Sequence, residues 1–298
     1  TIHRKLNESS AARWTVLFIV SVVMMMGYVV AKEMSPLQYF LELPQSEGGL
    51  GWSSSEFGLF IGSRGFFNVY LLMLFVSGVI LDKTGVRFAG MLSCVLMLVG
   101  TAIDYYAIAI ASPVPATEVT FPTLGLDHTM VKDQVLMSAF GFAVFGIGYE
   151  LCGITVSKVI VKWFSGKEMA LAMGIQVALA RFGTALALLG GPFLAKYYQL
   201  STPILVGLFS VGLAVVIYLI YCAMDRKLDK ASDDDNNEEK KAEKFSFKGL
   251  LTTLRSPGFW LITLLCMLYY SALYPFLDFA TKLMISKYRL RPVWSGGF

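Results

Sequence analysis

Seven apolar runs recur along the chain, and each is long enough, or nearly long enough, to cross a lipid bilayer. A helix that spans the hydrocarbon core needs about 20 consecutive, predominantly apolar residues. Because lipid offers no hydrogen-bond partner to an open backbone, runs of this kind predict helices. The predicted spans cover residues 14–31, 56–81, 88–110, 134–157, 169–195, 202–224 and 258–283.

Composition indicates the same class of protein. Hydrophobic residues make up 56% of the 298 residues and charged residues 15%, whereas soluble domains average roughly 45–50% and 25%. The four cysteines fall in different apolar runs and form no CxxC or Cys/His pattern, which argues against a metal site or a disulfide framework. No phosphate loop, metal triad or nucleophile motif supports an enzyme. We therefore predict an all-α membrane protein without a cofactor or a nucleic-acid partner.

Basic residues cluster in alternate connecting segments. The N-terminal segment and the connections after the second, fourth and sixth spans are rich in Lys and Arg, whereas the other connections hold few. Connections rich in Lys and Arg face the cytoplasm in multi-pass proteins. We therefore expect the N-terminus and the connection after the sixth span to be cytoplasmic.

The connection between the sixth and seventh spans differs from the rest of the chain. Residues 225–248 contain DRKLDKASDDDNNEEKKAEK, which has almost no apolar residues and predicts a solvated linker. The apolar residues just after this linker are spaced as on one face of a helix, which predicts a short amphipathic helix on the membrane surface. We predict three units: a six-span bundle over 1–224, the linker with its helix over 225–257, and the first span of a second bundle over 258–298. About five further spans are expected to follow in the native protein, as in two-bundle transporters.

Two consecutive spans each carry one charge well inside the apolar run, Glu150 in the fourth and Arg181 in the fifth. A charge at the bilayer centre costs roughly 2.5–3.5 kcal/mol on insertion scales, so such residues usually serve a function. Their predicted depths differ by roughly 7–8 Å, which side chains can bridge. The two groups either form a permanent structural ion pair or hold the opposite charges of a zwitterionic solute.

Arg64 in the second span is a third intramembrane charge, which either faces a cavity or extends toward the membrane surface. In the seventh span, Tyr270 is the tyrosine that we expect to line the same cavity. Packing and an interfacial aromatic belt are the alternatives for it.

Other charges lie at the predicted span ends. Lys32 and Glu33 close the first span, and we expect them to pair with each other at the interface. Asp104 and Asp278 lie near outer span ends, where they are either solvated or carry coupling protons.

The turn between the second and third spans reads GVILDKTGVR. It resembles the loop signature of the major facilitator superfamily, G-x-L-x-D-[RK]-x-G-[RK]-[RK], with Ile80 and Val86 as departures. The resemblance implies a conformational latch in which the aspartate faces a helix N-terminus of the second bundle and bonds a basic group. Glycine at the first position would permit close helix approach, and the second glycine a left-handed turn. The latch residues are Gly78, Asp82, Lys83, Gly85 and Arg87.

Residues 141–183 contain FGIGYE, WFSGKE, GIQ and ARFG in that order. This pattern is similar to the lysosomal dipeptide transporters of the superfamily and their bacterial relatives. The resemblance implies that Glu150 binds a peptide amine and Arg181 its carboxylate. An Asp-Asn-Pro sequence of the eukaryotic relatives is replaced by residues 32–36 here, so their substrate details do not transfer directly. The candidate solute-binding residues are Tyr28, Arg64, Asn68, Glu150, Gln176, Arg181 and Tyr270.

These features predict a transporter that carries a small zwitterion, a dipeptide or an amino acid, by alternating access across a bacterial cytoplasmic membrane. Facilitated diffusion and proton coupling both stay open, as do accessory subunits. One alternative is an organic-anion carrier in which Arg64 and Arg181 hold a carboxylate. Another is a receptor or scaffold that docks a partner through the 225–248 linker.

Overall fold

The computed structural model describes residues 9–111, 116–121, 126–164, 168–233, 252 and 254–289. Nine α-helices and one two-stranded sheet account for most of the described residues. The helices are α1 (Ser10–Glu33), α2 (Gln38–Glu42), α3 (Ser54–Ser63), α4 (Phe66–Tyr70), α5 (Met73–Ala109), α6 (Asp133–Trp163), α7 (Met169–Tyr197), α8 (Thr202–Asp233) and α9 (Pro257–Tyr288). The strands are β1 (Ala116–Phe121) and β2 (Leu126–Lys132), and 3₁₀ turns cover Ser35–Leu37 and Gln45–Glu47.

Six helical segments in the described residues are long and apolar enough to cross a membrane. This confirms the prediction of an all-α membrane protein. The 234–250 part of the predicted linker lies outside the described residues, as does most of the predicted amphipathic helix. The six segments are Ser10–Glu42, Met73–Ala109, Asp133–Trp163, Met169–Tyr197, Thr202–Asp229 and Pro257–Tyr288.

The predicted second span is not one continuous helix. It is interrupted between α3 and α4 at Arg64 and Gly65, and again before α5, where Leu72 has a left-handed backbone with φ 50°. Its last part is joined to the third span in α5, which changes direction at Gly85 (φ 79°, ψ 171°). Glycine adopts this conformation without the steric cost that a side chain would add. Gly85 therefore has the positive φ that a left-handed turn requires, but its ψ is extended, and Arg64 lies at a helix break.

A β-hairpin occupies the connection between the third and fourth predicted spans. Strand β1 pairs antiparallel with β2, and their sequences ATEVTF and LDHTMVK are rich in the β-branched and aromatic residues that favour strands. The hairpin is joined to α3 because Glu56 accepts hydrogen bonds from the Lys132 backbone (3.0 Å) and side chain (2.8 Å). We call this end of the molecule, which also holds the C-terminal ends of α1 and α9, the hairpin end.

Helices α5 and α6 pack closely against each other in the middle of the molecule. A Cβ on Gly141 would lie 2.8 Å from the carbonyl oxygen of Gly100, so only glycine permits this approach. Along α6 the stacked rings of Phe142, Phe145 and Tyr149 lie 5.6 and 5.9 Å apart. This column leads from the buried core to the middle of the bundle, where the charged residues lie.

Candidate functional site

Arg64 lies between helices rather than at a membrane surface. Its guanidinium is 5.8 Å from the Tyr149 ring centroid on α6 and 5.6 Å from the Tyr274 ring centroid on α9. Such cation–π contacts are favourable because the ring faces carry partial negative charge. Arg64 is half-buried, and its guanidinium makes no hydrogen bond or ion pair with another described residue. It therefore faces the centre of the bundle.

Glu150 lies beside the same cluster. It is half-buried on α6, next to the buried Tyr149, and it interacts electrostatically with Arg64. Within the described ranges its carboxylate accepts no hydrogen bond and forms no ion pair. This negative charge is thus available to a ligand.

Arg181 enters the site from α7. Its guanidinium lies 5.9 Å from the Tyr28 ring centroid, and the Tyr28 ring in turn lies 5.2 Å from that of Tyr149. Arg181 is half-buried and has no ion pair with any residue the structure describes. Thus Glu150 and Arg181 do not form the structural ion pair that was one reading of the sequence.

The two charges lie at nearly the same depth. Glu150 is 13 residues before the end of α6 at Trp163, and Arg181 is 12 residues after the start of α7 at Met169. The predicted difference of roughly 7–8 Å was too large. The fourth span was predicted to end at residue 157, whereas α6 continues to Trp163.

Three side chains on α9 complete the cluster. Tyr270, Tyr274 and Asp278 recur every four residues and so share one helix face. Tyr270 stacks on Tyr274 with centroids 5.1 Å apart. Asp278 accepts hydrogen bonds from the Lys32 ammonium and from Ser35 Oγ (2.9 Å). This face of α9 therefore closes the site on the side opposite α6.

Lys32 does not pair with Glu33 as expected. Its ammonium pairs with Asp278 and lies 5.0 Å from the Tyr274 ring centroid, and it repels both Arg64 and Arg181. The helical turn directs adjacent residues to different faces, so Lys32 points to the site while Glu33 does not.

Asp104 is buried, not solvated, and Glu33 is buried as well. Both are 3% exposed, and their carboxyl groups interact with each other. Asp104 accepts a hydrogen bond from Ser138, and the Glu33 carboxyl packs against Gly207 on α8. No cation of the described residues pairs with either group. The two carboxyls lie outside the ring of tyrosines and cations.

Asn68 and Gln176 are less directly placed. The Asn68 side-chain amide donates to the carbonyl of Gly146 (3.2 Å), so this residue ties α4 to α6. Gln176 is half-buried on α7 without a side-chain hydrogen bond to the described residues. Five positions separate it from Arg181, which turns it about 140° around the helix.

The predicted latch residues lie at the opposite end from the hairpin. The exposed Asp82 pairs with Lys158 on α6 (2.6 Å), and Arg87 pairs with Asp229 on α8 (3.0 Å). Lys83 is exposed, and a Cβ on Gly78 would meet no described atom within 4 Å. The close helix approach expected at Gly78 is therefore not seen among these helices.

The hairpin end is held by a second set of contacts to α9. Lys282 pairs with Glu42 (2.6 Å) and donates to Ser54 Oγ (2.7 Å). Phe279 packs edge-on against Phe57 with centroids 6.0 Å apart. These contacts cover the central cluster from the hairpin end.

The site thus combines three cations and two carboxylates around tyrosine rings. Sequence reasoning did not select Tyr149, Lys32, Tyr274 or Asp278 for it. Signals for them existed: Tyr149 is adjacent to Glu150, and Lys32 and Tyr274 each lie four residues after a selected tyrosine. Among the described residues, no group of three or more His, Cys, Asp or Glu side chains could hold a metal ion. The arrangement is suited to charged, water-soluble ligands.

Comparison with known proteins agrees with the resemblances found in the sequence. A family model of the Major Facilitator Superfamily matches residues 9–298. The lysosomal dipeptide transporter MFSD1 of Danio rerio is 26% identical over 232 residues, which cover 75% of this chain and 45% of that protein. The Homo sapiens lysosomal dipeptide transporter MFSD1 is 27% identical over 164 residues, 50% of this chain and 33% of that protein. The chain therefore spans less than half the length of these relatives.

A solved structure supports the fold alone. The crystal structure of a D-xylose-proton symporter superposes with a TM-score of 0.59 at 13% sequence identity, covering 97% of this chain and 64% of the symporter. With the family model matched over nearly the whole sequence, the chain belongs to the major facilitator superfamily, a family of multi-pass membrane transporters and not of enzymes.

Proposed function

We propose that this protein transports a small zwitterion, a dipeptide or an amino acid, which it binds between Glu150 and Arg181. The observation that carries the proposal is that both charges lie at matching depth and are half-buried, yet neither has an ion-pair partner in the described structure. Holding an unpaired charge inside a membrane is costly. A zwitterion that neutralises both charges offsets that cost. The names of the MFSD1 relatives support a dipeptide.

In this proposal Glu150 binds the ammonium group and Arg181 binds the carboxylate. Tyr28 and Tyr270 line the path of the solute, and Arg64 faces it from the α3–α4 break. Asn68 and Gln176 act by positioning their helices. Proton coupling is one form of this mechanism and facilitated diffusion the other.

Transport would proceed by alternating opening of the two ends. The contacts of α9 with Lys32, Glu42 and Ser54 close the hairpin end, while the pairs made by Asp82 and Arg87 belong to the opposite end. The Lys- and Arg-rich segments support a cytoplasmic location for that opposite end. We propose a bacterial cytoplasmic membrane as the location.

The test is uptake of labelled Ala-Ala into liposomes that contain the full-length protein. Glu150→Gln and Arg181→Gln should each lower the affinity for Ala-Ala about tenfold or more, because each leaves one end of the solute unpaired. Lys196→Gln is the control, since it removes an exposed charge at the far end of α7. The proposal fails if neither Ala-Ala nor alanine is taken up, or if neither site variant alters the affinity.

An organic anion is the second candidate, because the guanidiniums of Arg64 and Arg181 both lack ion pairs with described residues. Glu150→Gln separates the two candidates: it should abolish uptake of a zwitterion but preserve or increase uptake of an anion. A scaffold role predicts that function depends on the linker. Deletion of residues 234–243, which leaves the ion pairs of Asp229 intact, should be tolerated by a transporter.

A further inference from the structure

The charges of the described residues at the site do not sum to zero. Lys32 and Asp278 neutralise each other in a buried ion pair. Arg64, Arg181 and Glu150 are left, and they carry two positive charges and one negative charge. Within the described part of the site, these three groups hold one excess positive charge.

A neutral solute would not correct this excess. A dipeptide with uncharged side chains brings one ammonium and one carboxylate, so it satisfies Glu150 and one guanidinium and leaves the other guanidinium uncompensated. A desolvated charge without a partner is costly in a low-dielectric site. A solute with a second carboxylate removes this cost.

Arg64 has the unsatisfied donors that a second carboxylate requires. It lies against the rings of Tyr149 and Tyr274, and ring faces do not satisfy the N–H groups. A guanidinium has five N–H donors, whose planar fork fits a carboxylate in a bidentate manner. In the described part of the molecule, none of these donors finds an acceptor.

Arg64 and Arg181 reach the site from different elements: Arg64 from the break between α3 and α4, and Arg181 from α7. Arg181 lies over Tyr28 and Arg64 over Tyr149, while Tyr28 and Tyr149 pack against each other at 5.2 Å between centroids. Each guanidinium therefore lies over the ring of a different tyrosine, and a solute with two carboxylates offers one carboxylate to each.

We propose that the preferred solute carries a net charge of −1 and is a dipeptide with one acidic side chain, whose second carboxylate is bound by Arg64. This inference rests on the proposed zwitterion transport and names its substrate class. Glu150 binds the amine and Arg181 the terminal carboxylate, as proposed above. Arg64 is then a specificity-determining residue.

The test compares two dipeptides that differ in charge but hardly in shape, Ala-Glu and Ala-Gln. Binding of each is measured by competition with labelled Ala-Ala on the full-length protein in liposomes. Ala-Glu should bind about tenfold or more tightly than Ala-Gln, since Ala-Gln leaves Arg64 unpaired. In Arg64→Gln the ratio of the two affinities should fall to about one. Using the ratio cancels any general loss of binding in the variant.

Arg64→Lys provides a second variant if Arg64→Gln does not fold. It retains the charge but loses the bidentate fork, so the ratio should lie between those of the parent and Arg64→Gln. Lys196→Gln should keep the parent ratio. Equal affinities for Ala-Glu and Ala-Gln in the parent protein, or an unchanged ratio in the Arg64 variants, would overturn the inference but leave zwitterion transport standing. Failure of both dipeptides to bind, or tighter binding of glutarate than of either, would overturn the proposed function as well.

Discussion

The ammonium of Lys32 on α1 donates a hydrogen bond to the carboxylate of Asp278 on α9, and both residues are more than nine-tenths buried. This pair joins residues 246 positions apart in the sequence. It fixes the first helix of the chain to the last helix that the structure describes, beside the proposed solute site.

Asp278→Asn should destabilise the protein, because it leaves the Lys32 ammonium buried without its counter-charge. Removing one partner of a buried ion pair costs roughly 3–5 kcal/mol. We expect a clear fall in the apparent melting temperature of the full-length protein in detergent. A double variant, Lys32→Met with Asp278→Leu, should recover most of the loss because it leaves no buried charge.

Glu33→Gln is the matched control for this prediction. Glu33 is as deeply buried as Lys32, but no cation of the described structure pairs with it. The same carboxyl-to-amide change should therefore leave the melting temperature unchanged or raise it. An equal loss in Glu33→Gln and Asp278→Asn would show that the ion pair is not the cause.

The main helices could be predicted from the sequence, because hydropathy shows directly that each run is apolar and long enough to cross a membrane. The resemblance at residues 78–87 also identified the superfamily correctly, as the family match confirms. The breaks at Arg64 and Leu72 could not be predicted, because an average over a run does not show where its helix stops. The β-hairpin was missed because its short strands lie in a polar segment with turn-forming residues.

Within the candidate site, the sequence indicated charges but not their partners. Lys32 and Glu33 are adjacent, so a local pair was the simplest hypothesis. The actual partner of Lys32 lies on α9 and depends on the tertiary fold. Tyr149 was missed because aromatic residues are common in membrane helices, and its contact with Arg64 arises only from the break in the second span.

Gly183 permits the close approach of α7 to α1 that places Arg181 beside Tyr28. A Cβ on Gly183 would lie 2.5 Å from the carbonyl oxygen of Met25, and the backbone cannot move aside as a flexible side chain can. Gly183→Ala should destabilise the protein by roughly 1–3 kcal/mol and should weaken solute binding. The measurements are the melting temperature and the affinity for Ala-Ala.

Gly174 on the same helix gives the control, since a Cβ there would meet no described atom within 4 Å. Gly174→Ala should be neutral or stabilising by up to about 1 kcal/mol, because alanine favours the helix. Similar effects of the two changes would contradict the packing explanation.

Asp225 and Asp229 share partners but differ in burial. Both accept from the Lys162 ammonium, at 2.8 and 3.0 Å, yet the Asp225 side chain is 1% exposed and that of Asp229 39% exposed. Asp225 also accepts hydrogen bonds from Trp163 Nε1 and the Tyr221 hydroxyl. Asp225→Asn should therefore cost up to roughly 3–5 kcal/mol, and Asp229→Asn roughly 0.2–1 kcal/mol. The melting temperatures of the two variants show which one loses more stability. A larger loss of stability for Asp229→Asn would contradict the prediction.

The pair between Asp82 and Lys158 should affect transport rate more than stability. Its side chains are 37% and 42% exposed, and solvent-exposed pairs contribute only about 0.2–1 kcal/mol. Lys158 lies on α6 of the same bundle, so we expect Asp82 to exchange it for a partner in the second bundle during the transport cycle. The pair would then stabilise one conformation relative to the other. We expect Asp82→Asn to change the rate of Ala-Ala uptake several-fold, since about 1 kcal/mol is a factor of about five in a population, while the melting temperature moves little. Exchanging the charges, with Asp82→Lys and Lys158→Asp in one protein, should restore part of the rate. If the exchange variant transports no faster than Asp82→Asn, the specific pair is not what sets the rate.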